Sequence, residues 1–207
     1  MNYFVKPHTL ITLYSSDEIP RTLSLRITAI RETFEESGIL MLQKKHDIIK
    51  ESALPPKSEL KKWRDIVLQE PNEFYNMCLE LGALPKINSL YEWSNWLTPV
   101  NRPKRFDVMF FLTNLPHLPS YAEEDGSELV SLDVMHPMSF IREGKQGTFE
   151  IPPPQFIELS RLAKMPDHSA LLKYAKARQN NGLQQWCPRT VFAEGPFNNC
   201  NFITVSM

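Results

Sequence analysis

The segment from Arg31 to Gly38 places three carboxylates and one arginine within about one and a half turns of a helix. At about 100° per residue, Glu35 and Glu36 project within about 60° of Glu32. The apolar residues of the same predicted helix fall on its far side, at Leu23, Ile27, Ile30 and Phe34. The pattern predicts an amphipathic helix that docks on a sheet through one face and presents oxygen atoms on the other.

The helix is predicted to end at Gly38, because helices commonly end at a residue with positive φ, which glycine adopts without strain. The apolar run that follows, residues 39–42, predicts a short buried strand. We therefore expect the carboxylates to lie on a supported helix and not in a mobile loop.

Carboxylates crowded in this way repel one another unless a cation lies between them. Oxygen-rich sites favour hard ions such as Mg²⁺ or Mn²⁺, which also bind substrate phosphates. Glu32, Glu35 and Glu36 are therefore candidate metal ligands for pyrophosphate chemistry. The alternative interpretation is an ordinary solvated helix face, with Arg31 paired to one of its helical neighbours.

A helical insertion is predicted at about residues 55–85. Ser58 can cap one helix and Asn72 a second, which ends before Gly82. We expect this pair to pack over the sheet, with direct contact to substrate as the alternative interpretation.

Two strands are predicted at residues 91–98 and 105–115, because both are rich in aromatic and apolar side chains and are bounded by prolines. The turn between them is basic, and Arg105 is a candidate for binding substrate phosphates, with a solvated hairpin tip as the alternative. Trp93 and Trp96 are interpreted as core residues, with stacking on an adenine as the alternative.

The last third of the chain predicts one strand and two helices. The strand covers residues 129–134, and the helices begin at Pro154 and at a cap on Ser169. Residues 187–207 lose hydrophobic periodicity, and we expect an irregular tail there.

Composition excludes several classes of function. A net charge of −1 gives no basic excess that would argue for nucleic acid, and no stretch approaches the about 18 apolar residues of a membrane span. The three cysteines are widely spaced and form no C-x-x-C pair, so neither a disulfide framework nor a zinc site is indicated. We expect a soluble intracellular protein that acts on a small molecule; the sequence leaves its oligomeric state open.

The pattern R-E-x-x-E-E-x-G resembles the second half of the Nudix box. Further motifs occur in the order found in the peroxisomal acyl-coenzyme A diphosphatase branch of the Nudix family. The motifs that carry the resemblance lie at residues 25–38, 63–65, 93–99, 105–112 and 152–156.

The resemblance implies an α/β fold of the Nudix type, in which a mixed sheet carries the carboxylate-bearing helix, the helical insertion and C-terminal helices. It also implies metal-dependent hydrolysis of the diphosphate bond of coenzyme A and acyl-coenzyme A, giving 3′,5′-ADP and (acyl) 4′-phosphopantetheine.

The resemblance further assigns roles to individual residues. Glu32, Glu35 and Glu36 would hold Mg²⁺ or Mn²⁺, with Glu32 and Glu35 also catalytic, and Glu128 is the candidate for a fourth carboxylate. Arg31 would brace the carboxylates by ion pairing. The family implies a peroxisomal location, with cytoplasm or mitochondrion as alternatives.

The chain departs from the family at the first half of the box, because Asp17 and Leu23 stand where a glycine and a glutamate are expected. We therefore expect residues 1–186 to form an N-terminally incomplete Nudix domain. Two alternative functions follow: a catalytically silent relative that acts as a binding module, or hydrolysis of another nucleoside diphosphate derivative.

Overall fold

The computed structural model of the protein describes residues 2–4, 21–44, 47–48, 53–124, 132–179, 181–192 and 201–206. The chain folds into two compact units. Among the described residues, the first unit contains 2–4, 21–44, 47–48, 53–91, 111–124 and 132–133. The second unit contains 92–110, 134–179, 181–192 and 201–206.

The described chain contains both helices and strands. The first part contains β1 (Asn2–Phe4), α1 (Arg21–Ser37), β2 (Leu42–Lys44), β3 (Asp47–Ile48), α2 (Lys57–Gln69), α3 (Glu73–Glu80) and β4 (Leu84–Pro85). The second part contains β5 (Tyr91–Leu97), β6 (Asp107–Asn114), α4 (Pro137–Lys145), α5 (Pro153–Leu162), α6 (His168–Arg178), β7 (Gln185–Phe192) and β8 (Asn201–Ser206).

The strands form a mixed arrangement. In the first unit, β2 lies between β3 and β4 and is antiparallel to both, while β1 pairs antiparallel with the last residues of β6. In the second unit, β5 lies between β6 and β7, runs parallel to β7, and β7 pairs antiparallel with β8. The predicted α/β class with a mixed sheet is therefore confirmed.

The carboxylate-bearing helix is α1, and it ends as predicted. Gly38 has a φ of 70°, and its N–H donates to the Phe34 carbonyl at 2.8 Å. The buried apolar residues of α1 are Leu25, Ala29, Ile30 and Phe34. The predicted Leu23 and Ile27 are only half-buried, whereas Glu32 and Glu35 on the acidic side are buried. The surface that α1 buries therefore does not coincide with its apolar stripe.

Arg26 ties the first half of α1 to the rest of the first unit. Its guanidinium donates to the carbonyl oxygen of Ile87 at 3.1 Å and to that of Leu90. The guanidinium carbon also lies 5.4 Å from the centre of the Phe111 ring on β6, a cation–π distance. The helix is thus fixed to the end of β6 through a charged side chain as well as through apolar packing.

The helical insertion is present as α2 and α3, which confirms the predicted pair. The predicted cap at Ser58 is wrong, since α2 begins at Lys57 and Pro56 occupies the cap position. Asn72 does precede α3, but its side-chain amide donates to the Glu70 carboxylate at 3.0 Å instead of capping the helix. The Phe74 ring of α3 lies 6.4 Å from the Phe34 ring of α1.

Cys78 on α3 provides a test of how tightly the insertion is packed. It is buried, and burial raises the pKa of its thiol from 9.0 to about 11. Because the unfolded chain loses this proton at lower pH than the folded chain, the thiol favours unfolding increasingly from about pH 9 to pH 11. We expect the urea midpoint to fall more between pH 8 and pH 11 in the parent chain than in Cys78→Ala; equal falls would contradict the burial.

Two differences from the sequence predictions concern the helices of the second unit. Helix α4 was not predicted; its N-terminus is capped by His136, whose Nδ1 accepts from the Met138 N–H at 3.2 Å. Helix α6 is capped by Asp167, which accepts from the Ala170 N–H at 2.8 Å, and not by Ser169. Side-chain acceptors of the N-terminal N–H groups decide both helix starts.

The predicted irregular tail contains two paired strands. β7 and β8 are aligned from Cys187 opposite Ser206 to Phe192 opposite Asn201. Main-chain hydrogen bonds between these neighbouring strands stabilise them, although their side chains show no hydrophobic periodicity. Of the strand predicted at 129–134, residues 132–134 have no regular structure and the others lie outside the described residues.

None of the helices in the described chain is both long enough and apolar enough to cross a membrane.

Candidate functional site

The candidate carboxylates on α1 are largely shielded from solvent. Glu32 and Glu35 are 8% and 7% exposed, and Glu36 is half-buried. The solvated-face interpretation is therefore wrong for Glu32 and Glu35. Two carboxylates removed from water need a compensating charge or hydrogen bonds, since an isolated buried charge is costly.

Arg31 supplies that charge. One terminal nitrogen of its guanidinium donates to Glu32 and the other to Glu35, so the two carboxylates meet at one cation. The predicted ion pairing of Arg31 is confirmed. The Arg31 side chain is itself only 18% exposed, which makes this pair of salt bridges less screened than a surface pair.

The candidate metal ligands are only partly gathered. Glu32 and Glu35 converge on Arg31, but nowhere in the described residues do three His, Cys, Asp or Glu side chains form a group that could hold a metal ion. Glu36 follows Glu35 directly in the same turn of α1, and Glu128 lies outside the described residues. The ligand set proposed from the sequence therefore stays a prediction.

The chemistry of the donors nevertheless fits a hard divalent cation. All the candidates are carboxylates, the ligand type that Mg²⁺ and Mn²⁺ prefer. Two of them already direct oxygen atoms at one positive charge, the Arg31 guanidinium. A cation bound by Glu36 together with Glu32 and Glu35 would interact with the same two carboxylates that Arg31 neutralises.

The C-terminal turn of α1 is held by Arg64 of α2. This side chain is 5% exposed, and its Nε donates to the Glu35 carbonyl at 2.7 Å while Nη2 donates to the Glu36 carbonyl. Its Nη1 donates to the carbonyls of Glu123 and Glu124, at 3.0 and 3.4 Å. The sequence reasoning did not assign this role, although Arg64 lies in one of the motifs that carry the family resemblance.

The segment before residue 125 closes against the same turn. The Glu123 N–H donates to the Ser37 carbonyl at 3.1 Å, and the Glu123 carboxylate accepts from Lys57 at 2.7 Å. The hydrogen bond from Lys57 holds the pKa of Glu123 below its usual value. Lys57 and Arg64 both belong to α2, so the insertion contacts this segment at two points.

Arg105 lies in the second unit, just before β6. It is exposed, and its Nε donates to the Thr98 carbonyl at 3.0 Å. The Thr98 hydroxyl accepts from the N–H of Phe106 at 3.0 Å and so closes the turn. The contact orients the guanidinium at the hairpin tip, and its role in binding phosphate stays a prediction.

Trp93 and Trp96 are core residues, as predicted. They are 1% and 3% exposed, and both indole N–H groups donate to the carboxylate of Glu158, each at 2.8 Å. Glu158 is completely buried and also accepts from Arg161 at 2.9 and 3.1 Å. The sequence reasoning missed Glu158, because a single acidic residue in an amphipathic helix gives no local signal of burial.

Comparison with known proteins shows the family to which the chain belongs. The model of the NUDT19 Nudix domain matches residues 6–162. The acyl-coenzyme A diphosphatases NUDT19 of Xenopus laevis and Homo sapiens are 38% and 36% identical over 180 and 177 residues, each alignment covering 82% of this chain. The chain spans about half the length of the curated relatives it matches, 47% of both these proteins and 51% of the one from Gallus gallus.

The fold is also found in a solved structure. The Nudix hydrolase from Alicyclobacillus acidocaldarius superposes with a TM-score of 0.62 at 21% identity, over 77% of this chain and 68% of the other. At that identity the likeness concerns the fold alone, and it confirms the predicted Nudix-type architecture. The family match covers the carboxylate helix, its arginine anchors and the insertion, and on that ground the chain belongs to the NUDT19 Nudix domain family.

Proposed function

We propose that the chain hydrolyses the diphosphate bond of coenzyme A and acyl-coenzyme A. The products are 3′,5′-ADP and 4′-phosphopantetheine or its acylated form. Water adds across the P–O–P bridge: one new P–O bond forms, the bridging P–O bond breaks, and a proton is released. The observation that carries the proposal is the carboxylate helix of a NUDT19 Nudix domain, whose relatives bear the name acyl-coenzyme A diphosphatase.

In this proposal Glu32, Glu35 and Glu36, with Glu128, hold Mg²⁺ or Mn²⁺. The chemistry that such an ion supplies when bound is neutralisation of the diphosphate charge and acidification of water. Arg31 keeps Glu32 and Glu35 together through its two ion pairs. Two carboxylates kept in a fixed orientation need less rearrangement when they bind a ligand, and this favours catalysis.

Glu32 or Glu35 is proposed to orient and deprotonate the attacking water. Both glutamate residues are more than nine-tenths buried, and low local polarity strengthens the hydrogen bond that a water molecule donates to a carboxylate. Arg105 is proposed to bind a substrate phosphate, because its exposed guanidinium presents paired donors that match phosphate oxygens. The proposed compartment is the peroxisome, on the family resemblance alone.

A panel of substrates tests the proposal. The full chain is incubated with Mn²⁺ or Mg²⁺ and either coenzyme A, an acyl-coenzyme A, ADP-ribose or a nucleotide sugar, and the products are separated by chromatography. We expect 3′,5′-ADP from the two coenzyme A substrates, with EDTA abolishing its formation. Cleavage of ADP-ribose or the nucleotide sugar alone would replace the proposal with hydrolysis of another diphosphate.

A second candidate is a catalytically silent relative that binds a ligand without cleaving it. The pairing of Glu32 and Glu35 with Arg31 favours it, because this pairing already satisfies two of the carboxylates. Calorimetric titration separates the candidates. Binding of coenzyme A without binding of Mn²⁺ and without product supports the silent relative, whereas binding of Mn²⁺ together with product refutes it.

A further inference from the structure

We propose that the helical insertion is part of the metal-binding apparatus, with Arg64 of α2 as the positioning residue that fixes the backbone of the ligand-bearing turn. This inference rests on the proposed function in one respect, the assignment of Glu35 and Glu36 as ligands. It gives the insertion a role different from general packing and from contact with substrate.

The last four carbonyl groups of α1 have no partner within the helix. The Phe34 carbonyl accepts from Gly38 and the Ser37 carbonyl accepts from Glu123, at 2.8 and 3.1 Å. The remaining two, those of Glu35 and Glu36, accept from Arg64. Arg64 therefore satisfies the two terminal carbonyls that belong to candidate ligands.

The orientation of a carboxylate follows the orientation of its own peptide backbone. A rotation of the turn at Glu35 and Glu36 would redirect both Cα–Cβ bonds and would move the carboxylate oxygens away from a shared ion. Hydrogen bonds to both carbonyls from one planar guanidinium resist that rotation. Arg64 thus acts on the candidate ligands through the main chain, by its hydrogen bonds to the carbonyls of Glu35 and Glu36.

The same guanidinium also holds a second segment. It donates to the carbonyls of Glu123 and Glu124, which lie five and four residues before Glu128 in the sequence. Lys57 of α2 binds the Glu123 carboxylate at 2.7 Å. Helix α2 therefore joins the turn that carries Glu35 and Glu36 to the segment that leads to the fourth candidate carboxylate.

The arrangement requires arginine. Its guanidinium carries five N–H donors in a rigid plane, so it can donate to four carbonyl groups on two different segments. A lysine ammonium has only three donors on a single nitrogen atom. Lysine at position 64 keeps the positive charge near the helix terminus but cannot reproduce the fork. Arg64→Lys is therefore the variant that separates positioning from charge.

The test compares the full parent chain with Arg64→Lys, and with Lys62→Gln as a matched control on the exposed side of α2. Mn²⁺ affinity is measured by calorimetry, and hydrogen exchange is measured at Gly38 and Glu123, whose N–H groups close the turn. Loss of a partner that orients metal ligands typically weakens affinity about 10–100-fold. We expect a loss of that size in Arg64→Lys together with faster exchange at both amides, and neither change in Lys62→Gln.

The outcomes distinguish this inference from the proposed function. If Arg64→Lys melts cooperatively and keeps both its Mn²⁺ affinity within about threefold of the parent and its slow exchange, the inference is overturned. If the parent binds Mn²⁺ and Arg64→Lys loses affinity, but coenzyme A is not cleaved, the inference stands and the proposed function fails. A parent chain that binds no Mn²⁺ overturns both. If Arg64→Lys does not fold, Arg64→Gln, which retains planar donors, is measured in the same way.

Discussion

The Glu36→Gln variant is expected to cleave coenzyme A at least about 10–100-fold more slowly than the parent chain, because loss of a metal ligand costs no less than loss of a group that only orients a ligand. Glutamine has nearly the same shape as glutamate, and Glu36 is half-buried in the last turn of α1. The change therefore removes a negative charge and a strong acceptor while the helix keeps its packing. Initial rates at the lowest Mn²⁺ concentration that saturates the parent chain measure the effect.

The control for Glu36→Gln is Glu80→Gln, which makes the same chemical change at an exposed position on α3. We expect the control to keep the rate of the parent and both variants to melt within a few degrees of it, since surface substitutions usually change stability by less than about 0.5 kcal/mol. Unchanged hydrolysis in Glu36→Gln would refute the assignment of the ligand. A rate restored by raising the Mn²⁺ concentration would show that Glu36 acts by binding the metal.

The Glu158→Ala variant is expected to lose about 3–5 kcal/mol of folding free energy, the cost of removing one partner of a buried ion pair. The carboxylate is completely buried and accepts from both Trp93 and Trp96 at 2.8 Å. Alanine would leave two buried indole N–H groups without their acceptor and the Arg161 guanidinium without its ion-pair partner. Urea unfolding followed by tryptophan fluorescence measures the loss directly.

Glu158→Gln serves as the second variant. Its amide oxygen can accept from one indole, but its NH₂ group then faces the other donor, so we expect an intermediate loss of about 1–3 kcal/mol, the cost of one unsatisfied buried group. Glu150→Gln, an exposed glutamate that precedes α5, is the matched control and is expected to have no measurable effect. A loss below about 1 kcal/mol in Glu158→Ala would contradict the role given to this carboxylate.

Arg64 and Glu158 show why charged residues in this fold could not be assigned from local patterns. Both lie in amphipathic helices, and both are at most 5% exposed. Arg64 finds its acceptors in Glu35 and Glu36, 29 and 28 residues earlier in the chain, and Glu158 finds its donors 65 and 62 residues earlier. The spacing of residues along a helix predicts contacts between side chains three or four residues apart. It contains no information about partners that lie about 30 or more residues away in the sequence.

The sequence by itself determined α1, its end at Gly38, the two helices of the insertion and the strands β5 and β6. These features follow from apolar periodicity and from residues with restricted or unusual backbone geometry, which act within a few residues. The three glutamates were also recognisable from their spacing on one helix.

Only the tertiary structure decided which of those glutamates are buried, what neutralises them and what holds their turn. It also decided that residues 185–192 and 201–206 form strands, since main-chain hydrogen bonds between these paired segments stabilise them without any side-chain period. The physical reason is the same in each case. Burial and hydrogen bonding depend on which segments meet in space, and that is settled by the sum of long-range interactions and not by the residues adjacent in sequence.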